Sequence, residues 1–191
     1  YLPRDEEGLC SKINSLENVD LHQDNWLILT RTLSRAKEVC DLLKVKGLYY
    51  ENRHQKSYNT KLYKAIINHS KWLSGEEVPD TALEDIKEYL GNRELKKDLK
   101  WFECFDNAPA DDKIYIRLML SNKERLSDEA RIKISTIHAA KGGECKNVIL
   151  VLDNAKKIRE AVTKSIIKRD EEHRVWYVGC TRAKRNLYLM R

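Results

Sequence analysis

The chain has 191 residues, of which 41% are hydrophobic and 35% charged, and its mean hydropathy of -0.65 is typical of a soluble protein. This length is enough for one domain of ordinary size, or for one domain with an insertion. No stretch of eighteen apolar residues is present, which argues against a membrane-spanning helix, and the net charge is +6.

The cysteines and the start of the chain bear on the cellular setting. Five cysteines without a Cys-x-x-Cys pair argue against a zinc site or a disulfide framework, and we expect each to be a small buried side chain. The start, YLPRDEEGLCSKIN, has neither an initiator Met nor a basic segment followed by an apolar one. We therefore expect a cytoplasmic protein, and we interpret the chain as a piece of a longer one.

The positive charge is concentrated in the last third of the chain. Residues 131–191 hold fifteen Lys or Arg against six Asp or Glu, whereas the preceding residues hold slightly more acids than bases. A basic segment on a slightly acidic body favours a polyanionic partner, either a nucleic acid or the phosphates of a nucleotide. A basic surface that only contacts solvent is the alternative.

The first elements predict a βαβ unit. The apolar run NWLILT at 25–30 indicates a buried strand, and LYYENR at 48–53 indicates a second one. Between them, apolar residues recur at helical spacing, with Ser34 as the expected cap and Gly47 at the expected end. Strand, helix and strand in under thirty residues are typical of a parallel sheet with right-handed crossovers.

Residues 57–130 predict a small helical insertion. The loops SGEEVPD and NAPADD separate stretches with helical periodicity. The first predicted helix has an apolar stripe of Leu62, Ala65, Ile66, His69 and Leu73, and the second runs from a capping box at 81–84 to Leu90. A third predicted helix is marked by Leu95, Leu99 and Phe102, and a fourth by Ile114 and Leu118.

Strand patterns return after the insertion. RIKIST at 131–136, NVILVLD at 147–153 and NLYLM at 186–190 predict three strands, and a polar helix ending in the stretch 170–185 precedes the last of them. The sequence therefore predicts an α/β fold, a parallel sheet flanked by helices, built from residues 1–56 and 131–191 with the insertion between them.

Candidate site residues follow two of the predicted strands. Arg31 follows the strand 25–30, and His138, Lys141 and Glu144 follow the strand 131–136. Ligands of parallel α/β sheets bind beyond the carboxyl ends of strands. If the helix before Arg182 points to the same edge, Arg31 and Arg182 converge there and form a clamp for a phosphoryl group.

The types of the other side chains suggest different contacts. Thr136 and His138 are suited to the backbone phosphates of a nucleic-acid strand, and Glu144 is better suited to a sugar hydroxyl than to a phosphate. Gly142 allows the backbone to come close to a ligand. The sequence has no G-x-x-x-x-G-K-[ST] loop, so we interpret Asp153 after the strand 147–153 as a mere imitation of a magnesium-binding position.

Three stretches together resemble motifs of a known family. ISTIHAAKGGECKNVILVLD resembles motif V and EEHRVWYVGCTRAKRNLYL resembles motif VI of the UvrD/Rep/PcrA-type superfamily-one DNA helicases, and WLILTRTLSRAKEVCDLLKVKGLYY is similar to their motif IV. The motifs occur in the family's order, with an insertion where the family has its accessory domain. The resemblance covers about residues 24–55 and 131–191 and implies a RecA-like fold.

The resemblance also implies roles for individual residues. Arg31 matches the motif IV arginine that reaches the γ-phosphate, and Arg182 matches the motif VI arginine finger. Glu144 matches the acid that touches the ribose, with Lys141 and Gly142 beside it, and Thr136 and His138 match positions that contact single-stranded DNA. ATP and Mg²⁺ would be held mainly by an N-terminal RecA-like domain, which these 191 residues do not include.

Two hypotheses of function follow. In the first, the chain is the C-terminal motor domain of an ATP-dependent DNA helicase from a bacterium or phage, and it has no ATPase activity by itself. In the second, it is a non-catalytic nucleic-acid-binding or regulatory module with a helicase-like fold, which predicts salt-sensitive DNA binding that does not depend on nucleotide.

Overall fold

A computed structural model describes residues 7–91, 94–96, 98–140 and 143–191. These residues form two compact units. The first unit contains the described residues up to 43, residues 50–55 and residues 127–191, and the second contains residues 44–49 and 56–126. The interpretation of residues 57–130 as a reduced accessory domain stays a prediction.

A seven-stranded sheet, mostly parallel, confirms the predicted α/β fold. Its strand order is β1-β7-β6-β2-β5-β3-β4. Five neighbouring pairs are parallel: β1 with β7, β7 with β6, β6 with β2, β2 with β5, and β5 with β3. The strands are β1 Leu9–Ile13, β2 Trp26–Thr30, β3 Tyr50–Asn52, β4 Gln55–Lys56, β5 Ile132–Thr136, β6 Cys145–Val151 and β7 Ala183–Met190.

Seven α-helices occur in the described part of the chain, together with a short 3₁₀ helix at Leu16–Asn18. None of these helices has the length and the apolar character needed to cross a membrane. Their bounds are α1 Leu33–Val45, α2 Thr60–Ser74, α3 Asp80–Leu90, α4 Trp101–Cys104, α5 Ala110–Ser121, α6 Lys156–Lys164 and α7 Ile166–Cys180.

The core of the first unit lies on the central strand β2, whose five residues are all buried. A strand buried on both faces needs a continuous apolar run, which WLIL supplies. On one face, Leu27 and Leu29 pack with Val148 and Leu150 of β6, and the half-buried Val175, Trp176 and Val178 of α7 pack against the same cluster. These apolar contacts therefore fix the position of α7 on the sheet.

The strand β1 and the caps of two helices differ from the sequence-based predictions. β1 was not predicted, and it pairs with β7. Thr32, not Ser34, caps α1, because the backbone N–H of Arg35 donates to Thr32 Oγ1 at 3.3 Å. The predicted capping box at 81–84 is wrong, since α3 already begins at Asp80 and Thr81 lies inside its first turn.

The second unit is helical, as predicted, but two of its helices differ in detail. The stripe on α2 is confirmed at Leu62, Ala65, Ile66 and His69, which are buried. Leu95 and Leu99 are not helical, and among the described residues of that stretch the helix is Trp101–Cys104. On α5 the buried residues are Tyr115, Ile116 and Met119, whereas Ile114 and Leu118 are exposed.

All five cysteines are free thiols, but only two of them are buried as predicted. Cys40 and Cys104 are buried, Cys145 and Cys180 are half-buried, and Cys10 on β1 is exposed. Burial raises the pKa of the Cys180 thiol above its usual value, which keeps this thiol in its unreactive protonated form.

Candidate functional site

The parallel strands give the sheet two chemically different edges. β2, β5, β6 and β7 run in the same direction, so their carboxyl ends share one edge and their amino ends share the other. We call the first the carboxyl edge, defined by Arg31 after β2, Thr136 at the end of β5 and His138 two residues later. We call the second the amino edge, defined by Glu144 before β6 and Arg182 before β7.

Arg31 and Arg182 lie at opposite edges of the sheet, which corrects the expectation that they converge. Arg31 follows Thr30, which pairs with Thr136 at the carboxyl edge. Arg182 precedes Ala183, which pairs with Cys145 at the amino edge. Leu29 pairs with Leu150 of β6 and Ala183 pairs with Cys145 of β6, so about eight residue rises, or about 26 Å, separate Arg31 from Arg182 along the strands. One bound phosphoryl group therefore cannot contact both guanidinium groups.

The direction of α7 explains why Arg182 lies at the amino edge and not at the predicted carboxyl edge. A helix that connects parallel strands runs back against them, so the residue after it lies at the amino edge. Arg182 follows the last turn of α7 and begins the path into β7, and its carbonyl accepts from the backbone N–H of Cys145 at 3.0 Å. Glu144, immediately before Cys145, is at the same edge as Arg182.

A tight turn after β5 shapes the carboxyl edge. The backbone N–H groups of Ala139 and Ala140 both donate to the carbonyl of Thr136 at 3.0 Å, and the N–H of Ile137 donates to the carbonyl of Thr30 at 2.9 Å. Ile137 and Ala140 are buried in the apolar cluster under α7. Since these two residues anchor the turn, His138 is left exposed beside the end of β2.

Arg31 is bound by a carboxylate that sequence analysis missed. Its Nε donates to Oε1 and Oε2 of Glu172 at 2.9 and 3.1 Å, and its Nη2 donates to Oε2 at 3.0 Å. The Glu172 side chain is 7% exposed and that of Arg31 is 19% exposed. A forked, largely desolvated contact of this kind fixes the orientation of the guanidinium group.

The amino edge presents Arg182 and Glu144 in a looser arrangement. Arg182 donates from Nε to the carbonyl of Val178 and from Nη2 to Thr181 Oγ1, both at 3.1 Å. Glu144 is exposed, and its carboxylate lies 3.9 Å from the ammonium group of Lys184. Each of these side chains therefore keeps hydrogen-bonding capacity for a ligand from outside the chain.

The side chains of the amino edge fit part of a nucleotide, but they do not fit a metal. One guanidinium group suits a phosphate and one carboxylate suits a sugar hydroxyl. In the described part of the chain, no three His, Cys, Asp or Glu residues are grouped closely enough to hold a metal ion. Asp153, the imitation of a magnesium ligand, forms an ion pair with Arg35. Lys141 and Gly142 lie outside the described residues.

Electrostatic contacts continue along the amino edge. Lys146, the second residue of β6, forms an ion pair with Asp24 at 2.8 Å and lowers the pKa of the Asp24 carboxyl below its usual value. Asn147 donates to the carbonyl of Asn25 at 3.2 Å and accepts from Asn186 at 2.7 Å. These contacts join the starts of β2, β6 and β7, and so they fix the base from which Glu144 and Arg182 project.

A comparison with known families decides the assignment. Residues 82–191 match the family described as UvrD-like helicase C-terminal domain, and this match covers more than half of the chain. The chain belongs to this family. No curated protein matches the chain significantly.

The UvrD-like match includes both motifs on which the resemblance depends most. It contains the motif V stretch with Thr136, His138 and Glu144 and the motif VI stretch with Arg182, and it begins inside α3 of the second unit. Residues 24–55 lie outside the match, so the resemblance of Arg31 to a motif IV arginine stays a prediction. The family membership establishes a helicase C-terminal domain with a RecA-like fold.

One signal in the sequence of this UvrD-like domain could have revealed Glu172. Residues 172, 175 or 176, and 179 recur at helical spacing, so Glu172 lies on the face of α7 that packs on the sheet. A carboxylate on a buried face needs a cationic partner. The pattern predicts that a partner exists, but it does not say that the partner is Arg31, which lies 141 residues away.

Proposed function

We propose that this UvrD-like domain is the second motor domain of an ATP-dependent DNA helicase, and that its two edges have separate tasks. The amino edge, with Arg182 and Glu144, contacts a nucleotide whose phosphates and Mg²⁺ are held mainly by another RecA-like domain. The carboxyl edge, with Thr136, His138 and Arg31, contacts single-stranded DNA. The observation that carries this proposal is that Glu144 and Arg182 lie at the amino edge of the parallel sheet, whereas Thr136 and His138 lie at its carboxyl edge.

Arg182 is proposed as the residue that stabilises charge on the transferring phosphoryl group. Two of its nitrogens are already bound within the chain, to Val178 and Thr181, so the guanidinium group is oriented before any ligand arrives. A group oriented in advance stabilises a transition state without the cost of reorganisation. Glu144 accepts a hydroxyl of the sugar and so helps to position the nucleotide.

His138 and Thr136 are proposed as contacts to the backbone of the strand. Phosphate contacts of this kind are made by neutral donors as well as by cations, and they do not depend on base sequence. The turn after β5 presents His138 to solvent on a rigid base, because Ile137 and Ala140 are buried. Arg31 lies at the same edge, and its ion pair with Glu172 neutralises a carboxylate that would otherwise repel a polyanion.

The helix α7 connects the two tasks within one rigid element. Glu172 binds Arg31 at the carboxyl edge, and the helix then rises about 12 Å to Cys180, two residues before Arg182. Gly179 lies so close to the sheet that a Cβ there would be 2.8 Å from Leu150 Cδ1. A displacement of Arg31 and Glu172 at the carboxyl edge therefore moves α7 and, with it, Arg182 at the amino edge.

The proposal is tested by Arg182→Ala in a protein that joins this chain to the first motor domain. Loss of an arginine finger lowers turnover on the order of a thousandfold or more, so DNA-stimulated ATPase activity should be lost while strand binding is retained. Arg185→Ala is the matched control, because Arg185 is exposed on β7. Near-normal turnover in Arg182→Ala would exclude the proposed role and would favour the non-catalytic module.

A further inference from the structure

We propose that a cavity between α6, α7 and the carboxyl edge holds one nucleotide of the bound single strand, with its base against α6 and its phosphate near Lys157. The inference rests on the proposed function of the carboxyl edge and adds a specific pocket to it. The cavity has a volume of about 410 Å³. Its lining residues include Arg31, His138, Lys157, Ile158, Ala161 and Val162.

The size of the cavity fits one nucleotide unit. Small-ligand pockets measure about 300–1,000 Å³, so this cavity is in the range for a nucleobase with its sugar and is too small for an element of a folded partner. Arg31 and His138 are among its lining residues, so the cavity adjoins the proposed strand surface.

The charges around the cavity favour a phosphate. The two carboxylates in its lining are already neutralised, because Glu172 is bound by Arg31 and Glu171 accepts from Lys168 at 2.7 Å. Lys157 has no ion-pair partner within the described part of the chain, and it is exposed and lines the cavity. An anion entering the cavity thus meets an available ammonium group and no unneutralised carboxylate.

The wall formed by α6 suits a base. No side chain of α6 is fully buried, yet Ile158, Ala161 and Val162 are half-buried on the side that lines the cavity. Val175 of α7 continues this apolar wall. The flat face of a base can cover this half-exposed apolar surface favourably, because the face itself carries no hydrogen-bonding groups that would be left unsatisfied.

The decisive variant fills the cavity. Ala161→Phe places a ring where the base would lie, whereas Thr163→Phe places the same ring on an exposed position of α6 outside the cavity lining. The probe is a fluorescently labelled oligothymidine, and its Kd for the 191-residue chain is measured by anisotropy. We expect Ala161→Phe to weaken binding about tenfold and Thr163→Phe to leave it within twofold, since loss of one bound base has effects of this order.

A strand with abasic sites separates the base from the phosphate. If the cavity holds a base, a fully abasic oligonucleotide binds the original chain and Ala161→Phe equally well. Lys157→Ala should weaken both oligonucleotides and reduce the slope of log K against log salt by about one relative to the original chain, while Lys156→Ala serves as the control of equal charge. Lys156 is on the same helix and does not line the cavity.

The outcomes distinguish this inference from the proposed function. If Ala161→Phe binds the oligothymidine as tightly as the original chain does, the proposal of a nucleotide pocket is wrong, whereas the proposed strand contact at the carboxyl edge is unaffected. An equal loss in Ala161→Phe and Thr163→Phe would also overturn it, since distortion of α6 would then be the cause. If the original chain binds no oligonucleotide at any salt concentration, the proposed function of the carboxyl edge fails, and the pocket fails with it.

Discussion

Arg31 and Glu172 form a forked ion pair that joins the carboxyl end of β2 to the middle of α7, across 141 residues of sequence. The carboxylate is almost fully enclosed, and three nitrogen–oxygen contacts of 2.9 to 3.1 Å hold the guanidinium group in one orientation. This pair ties the helix that leads to Arg182 to the strand that ends at the carboxyl edge.

Removal of one member of this pair should be costly. Glu172→Ala leaves the mostly buried guanidinium of Arg31 without its carboxylate, and we expect a loss of about 2–3 kcal/mol in the free energy of unfolding. The measurement is urea denaturation at pH 7.5. The double variant Arg31→Met/Glu172→Met should recover most of the loss, because no unpaired charge remains. A cost below about 0.5 kcal/mol for Glu172→Ala would show that the pair does not anchor α7.

The buried His69 predicts a specific loss of stability in mild acid. Burial lowers the pKa of His69, which is 1% exposed in the second unit, below its usual value of 6.5. Below about pH 6.5 the unfolded chain takes up a proton that the folded chain does not, so stability falls as the pH decreases from 7.5 towards 5.5. The measurement is the urea midpoint at these two pH values.

The substitution His69→Gln should reduce this pH dependence, because the titrating group is removed. His22→Gln is the matched control, since His22 is exposed. A pH dependence that is unchanged in His69→Gln, or that is lost equally in His22→Gln, would contradict the assignment to His69.

Replacement of Glu144 should weaken the binding of the nucleotide and leave the binding of single-stranded DNA unchanged. In the two-domain protein, Glu144→Ala removes the proposed acceptor of a ribose hydroxyl, so the KM for ATP should rise several-fold while kcat changes little. For the deoxynucleotide that lacks this hydroxyl, the variant and the original protein should have similar KM values. Glu160→Ala on α6 is the control. An equal rise in KM for ATP, for 2′-deoxy-ATP and for 3′-deoxy-ATP would contradict a contact between Glu144 and the sugar.

The elements that could be predicted from the sequence are those whose signal is local. The run WLIL requires a strand buried on both faces, and β2 is that strand. β1 lacks such a signal, because LCSKI is short, partly polar and mostly exposed at the edge of the sheet. Leu95 and Leu99 have helical spacing, yet spacing alone does not overcome the cost of starting a helix that little packing stabilises.

The roles of the candidate site residues stay predictions, and their positions in the fold were predicted only in part. Strand-end reasoning is correct for the edge at which Arg31 and His138 lie, because each is within two residues of the end of a strand. It fails for Arg182, because a residue that follows a crossover helix is returned to the amino edge. Long-range contacts such as the one between Arg31 and Glu172 depend on how distant elements pack, and no local pattern contains that information.

The separation of the two edges is tested most directly by hydrogen exchange of backbone amides. In the two-domain protein, an oligothymidine should protect residues 136–140 and 156–168, and a non-hydrolysable ATP analogue should protect residues 143–146 and 181–183. With this chain alone, the oligothymidine should give the same protection at the carboxyl edge. Protection of the amino edge by the oligonucleotide, or of the carboxyl edge by the ATP analogue alone, would contradict the division of tasks between the two ends of the sheet.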